Sequence, residues 1–136
     1  MDRPVHQNGP VDYSTPKPYD IKERVFLFAC AVIRAFPRER MDPPSLKVWS
    51  QLIASATSTG AHLEEAAAGG SRAQFISITR GGLREMRESH YWLRLLVATK
   101  IAGHGAAASL VAEASELTAI LTTIVKKAVE NARNNE

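Results

Sequence analysis

The strongest constraint on the fold lies in the second quarter of the chain. Leu46, Trp49, Ile53, Ala56, Gly60, Leu63 and Ala67 follow one another at alternating steps of three and four residues. That spacing keeps one side of an α-helix apolar for about six turns, whereas a strand would need a period of two. A helix so patterned cannot bury its stripe alone and needs helical partners. Ala56 and Gly60 are small, so a neighbouring helix can approach closely there. Gly60 costs about 1 kcal/mol of helix propensity relative to alanine, which close packing offsets.

The rest of the chain supplies the partners. Asp20 can cap a first helix, with Glu23 three residues on as in a capping box. Ile21, Val25, Phe28, Val32 and Ala35 or Phe36 form its stripe, and Pro37 stops it. Ser45 is the expected cap of the second helix, and Gly69-Gly70 its end. Ser71 opens a third helix, which runs to the break at Gly103-His104-Gly105. A fourth carries Leu110, Ala114, Leu117, Leu121, Ile124 and Ala128. Strand and hairpin signals are absent from the sequence. The expectation is an all-α, antiparallel up-down four-helix bundle with helices at about 20–36, 45–68, 71–102 and 107–131. Residues 1–18 hold four of the seven prolines and read as a disordered arm ahead of a bundle spanning 19–131; residues 132–136 read as a frayed tail.

Hydrophobic residues make up 45% of the 136, enough for one domain with a core. No apolar run in the sequence suggests a membrane span, and the polar start does not resemble a secretory signal. The single cysteine, Cys30, has no internal disulfide partner; among apolar neighbours it reads as a small buried hydrophobe. A cytoplasmic protein is expected. The net charge of +3 permits a polyanionic partner without requiring one.

Signs of catalysis are scarce. His6, His62, His90 and His104 lack the Glu-x-x-His step of metal-binding bundles. Ala68-Gly69-Gly70-Ser71 lacks the lysine of a phosphate loop. The sequence therefore implies no enzyme, no metal and no cofactor.

The third helix is the informative one. At about 100° per residue, Phe75, Thr79, Gly82, Met86, His90, Leu93 and Val97 share a core side. Arg80, Arg84, Arg87, Tyr91 and Arg94 form a separate row within about 80° of arc. Arginines with an interleaved tyrosine suit phosphate contact and base stacking. The row can equally be a solvated face balanced by Glu85 and Glu88. Phe26 and Ile33 on the first helix, with Trp92 and Leu95 on the third, lie off the core stripes. Such surplus apolar surface points to self-association. These readings give a homo-oligomer whose arginines contact RNA, DNA or an acidic protein. The rival is a structural adaptor docking another protein through the apolar flank of helices one and three.

Three strings carry a family likeness: STGAHLEEA at 58–66, SRAQFISI at 71–78 and LREMRESHYWLRLL at 83–96. They resemble the bacterial four helix bundle protein family. Its members are also called intervening-sequence proteins, because some are encoded within insertions in the large-subunit ribosomal RNA gene. The resemblance covers about residues 20–130. It implies up-down bundles assembled into ring-shaped pentamers. It is similar in fold, too, to the accessory protein of diversity-generating retroelements, a basic pentamer that binds nucleic acid and its polymerase. Glu65, Glu85 and Glu88 match glutamates typical of the family, whereas His62 stands where members commonly have asparagine. Those glutamates are expected to form structural ion pairs, with Arg24, Arg34 and Arg72 as candidate partners.

Overall fold

The computed structural model of the chain describes residues 20–135. The expected arm at 1–18, and His6 with it, lies outside the described residues. Four helices follow one another: α1 (Ile21–Ala35), α2 (Pro43–Ala67), α3 (Arg72–Thr99) and α4 (His104–Asn134). The described residues contain no strand.

Local chemistry sets the helix ends. Asp20 caps α1 by accepting the Lys22 N–H at 2.9 Å. Asp42, rather than Ser45, caps α2, accepting the Ser45 N–H at 2.8 Å. The helix thus begins at Pro43-Pro44, where a missing N–H has no consequence. Ser71 and Gln74 form a reciprocal capping box that starts α3. Lys100 ends α3 in the left-handed region, and Gly103, at φ 84°, turns the chain into α4. Because the reversal needs so few residues, α4 begins at His104 and not near 107. It also continues to Asn134, so most of the expected frayed tail is helical.

Each helix packs on two neighbours in cyclic order, and the diagonal pairs α1–α3 and α2–α4 stay apart. Side-chain contacts fix the directions. Between α2 and α3, Trp49 Nε1 donates to the Ala102 carbonyl beyond α3 at 2.8 Å, and Ser55 and Ser89 share a hydrogen bond at 2.8 Å. Between α1 and α4, Arg24 reaches Glu113, while Pro37 lies close to Gly103. Numbers rise along one helix as they fall along its partner. The bundle is antiparallel and up-down, as the sequence implies.

The core runs through all four helices, from Val25, Phe28 and Val32 through Trp49 and Leu52 to Met86, Leu93, Leu117 and Leu121. Burying each such side chain contributes about 1.5–3 kcal/mol. The helix-two seam is wider than its heptad spacing suggests. Leu46 and Ala67 are exposed at its ends, and Leu52, Ser55, Thr59 and Ala66 are buried beside it. Packing against both α1 and α3 makes α2 bury a broader arc. Gly82 has Thr59, His62 and Leu63 so near that little room remains for a Cβ. On α3, Phe75 is exposed and His90 half-buried, while Ser89 and Leu96 are buried instead.

α4 is long and apolar enough to cross a membrane by length and composition, with a mean hydropathy of 1.4 over its most apolar stretch. This corrects the sequence expectation that no such segment exists. In the bundle its apolar stripe of Leu110, Ala114, Leu117 and Leu121 is core, and the same helix holds a buried carboxylate, Glu113.

Candidate nucleic-acid interface

The arginine row of α3 does not point straight away from the core. It runs along the seam with α4. Arg80, Arg84 and Arg87 line one side of a groove of about 570 Å³, and Lys126 and Arg133 come from the facing helix. The almost wholly buried Leu83 and Val125 and the half-buried Val129 complete the lining, so the base of the groove is apolar. Glu130 is the one carboxylate in the lining. A second depression, lined by Ile76, Arg80, Arg84 and Arg133 among others, continues the basic surface toward the start of α3.

None of these five cations forms a hydrogen bond or ion pair among the described residues. The charge-balanced reading of the row, with Arg84 paired to Glu88 and Arg80 to Glu85, is not what the side chains do. Arg84 is near enough to Glu85 to lower its pKa, but the guanidinium remains at the groove. Five cations without an ion pair among the described residues, against one carboxylate in the lining, make a site that concentrates anions.

Tyr91 and Arg94 extend the row by two further turns and do not line the groove. Tyr91 is 52% exposed and stands edge-on to Trp92, with ring centroids 5.1 Å apart. Arg94 acts on His90: burial lowers the imidazole pKa, and the Arg94 charge lowers it further.

The expected structural ion pairs of Glu65, Glu85 and Glu88 are replaced by other arrangements. Glu65 is exposed. Burial pushes the Glu85 carboxyl above its usual range; the charge of Glu88 and a hydrogen bond with it push the same way, against weaker pulls from His62 and Arg84. Two of the candidate arginines are engaged elsewhere. Arg72 donates to the Asn131 carbonyl at 3.1 Å, and Arg24 is buried against Glu113 at 2.7 Å and Glu116 at 3.1 Å. His62 donates from Nδ1 to the Ser58 carbonyl at 2.8 Å. Its ring lies over Gly81, where a Cβ would come within 2.7 Å of it.

Of the apolar flank, Phe26 and Ile33 are 59% and 44% exposed, seven residues apart on one face of α1. Trp92 and Leu95 are half-buried, and Trp92 packs against its own core. The exposed patch therefore belongs to α1 and not jointly to α1 and α3. Cys30, expected to be buried, is half-exposed beside that patch. Among the described residues no group of three His, Cys, Asp or Glu side chains converges as a metal site.

Sequence reasoning missed Lys126 and Arg133. They stand seven residues apart on α4, a spacing that places them on one face. What the spacing could not tell is that this face borders the arginine row.

No family model and no curated protein matches the chain. The fold is similar to a crystal structure from Bacteroides thetaiotaomicron, described as a protein of unknown function from the S23 ribosomal protein family. The two are 27% identical with a TM-score of 0.66, over 79% of this chain and 99% of that one.

Proposed function

We propose that this chain is a non-enzymatic, cytoplasmic, homo-oligomeric bundle that binds nucleic acid through the groove between α3 and α4. The observation that carries the reading is the pair of cationic rails, Arg80, Arg84 and Arg87 facing Lys126 and Arg133, with no ion pair to any of them among the described residues. Surface cations kept only for solubility are usually mixed with carboxylates and pair with them at helical spacings. The ribosomal family label of the structural neighbour supports RNA as the polyanion.

Self-association rests on Phe26 and Ile33, whose apolar area a second copy would cover. A pentameric ring is the assembly implied by the family resemblance. Each subunit then contributes one basic groove, and the ring adds weak contacts by multivalency. The adaptor reading keeps one observation in its favour, since the same α1 face could receive a different protein.

Two experiments test the proposal. Light scattering after size-exclusion chromatography reads the subunit number, and the absorbance ratio of the peak reads carried nucleic acid. Arg84→Glu with Arg87→Glu is then expected to abolish binding and leave the assembly mass unchanged. A monomer without affinity for RNA or DNA at low salt contradicts the proposal.

A further inference from the structure

The groove has a feature that phosphate binding alone does not require. Its base is apolar, formed by half-buried Val129 over the nearly buried Leu83 and Val125, and its one acid, Glu130, pairs with none of the lining cations among the described residues. A duplex keeps its base faces stacked inside and offers a protein phosphates, sugars and base edges. Nothing on that surface would displace water from an apolar floor. Unpaired nucleotides differ, because their bases splay away from the backbone and expose flat, weakly polar faces. Two rails one helix spacing apart can hold the backbone while bases turn onto the floor.

Resting on the reading of this groove as a nucleic-acid site, we propose that it takes single-stranded nucleic acid in preference to duplex. The strand continues along the row toward Arg94, and the exposed ring of Tyr91, braced by Trp92, stacks on a base. Glu130 gains a role that a pure phosphate channel would deny it. A carboxylate accepts from an exocyclic amino group, such as that of cytosine, so it favours amino-bearing bases.

Fluorescence anisotropy with a short labelled oligonucleotide, alone and annealed to its complement, tests this at low salt on the full chain. The single strand is expected to bind roughly tenfold more tightly than the duplex. Tyr91→Ala, at an exposed position, is expected to lower single-strand affinity several-fold and leave duplex affinity unchanged. Val129→Ser, which makes the groove base polar without adding charge, is expected to do the same, with circular dichroism checking its fold. Glu130→Gln is expected to reduce the preference for cytosine-rich over thymine-rich strands. Equal or tighter duplex binding overturns the inference and leaves the nucleic-acid reading standing. Binding of neither form overturns both. A poly-glutamate peptide that competes as well as the oligonucleotide assigns the groove to an acidic protein, and overturns both as well.

Discussion

Arg24 and Glu113 meet across the α1–α4 seam at 2.7 Å, with only 9% and 4% of their side chains exposed. Two charges so deeply buried hold α1 in register on α4 through directional contacts that apolar packing lacks. Removing one leaves the other charged, desolvated and short of its main partner. Arg24→Met is therefore expected to cost about 3–5 kcal/mol of stability, measured by urea unfolding. The double variant Arg24→Met with Glu113→Leu is expected to recover most of that loss. Equal losses in single and double variants would show that packing around the pair, and not the pair itself, matters.

The turn between α3 and α4 depends on Gly103. Its φ of 84° is costly for any side chain, and a Cβ would come within 2.6 Å of the Trp49 ring and 2.9 Å of Pro37. Trp49 is held at this edge of its ring by its hydrogen bond to Ala102. Gly103→Ala is expected to destabilise by at least about 1–2 kcal/mol from backbone strain alone, and to change the tryptophan emission. Thermal unfolding followed by fluorescence reads both.

The four helices were legible because three- and four-residue steps of apolar residues survive in each of them. The buried ion pair was not, although its signal was present. Arg24 falls at core steps between Ile21 and Phe28, and Glu113 falls likewise between Leu110 and Leu117. One cation and one anion on facing stripes is a pattern for a buried bridge. The binding row was legible on α3, but half of the groove was hidden. Nothing in a list of residues says that the face holding Lys126 and Arg133 lies beside the arginines; only the cyclic order of the packed helices does. An angle on a wheel marks Trp92 as off the stripe, yet with α3 packed on two neighbours part of this side chain rests against the core.

Glu85 makes stability depend on pH. Its carboxyl is held above its ordinary value of 4.5, chiefly by burial and then by Glu88. The folded chain therefore binds more protons at this site than the unfolded chain, and stability from it falls as pH rises through and above that ordinary value. Glu85→Gln is expected to raise Tm by a few degrees at neutral pH. In acid well below 4.5, where the carboxyl is protonated folded and unfolded alike, the difference should vanish. A variant that melts lower at neutral pH would mean that the carboxylate has a stabilising partner.

Phe26 and Ile33 are expected to hold copies together. Burying each contributes about 1.5–3 kcal/mol at a contact, so Phe26→Asp with Ile33→Asp should shift the assembly to monomer by sedimentation velocity. Helical circular dichroism should be unchanged, because both positions are exposed in the single chain. An assembly of unaltered mass would move the subunit contact to another face.

The central claim concerns the two rails of cations, and salt dependence tests it most directly. Affinity for an oligonucleotide, followed by anisotropy across a salt series, is expected to fall linearly on logarithmic axes. Arg84→Ala and Lys126→Ala, one on each rail, should each weaken binding and each reduce the slope by about one. No binding at low salt, or slopes identical to that of the unaltered protein, would contradict it.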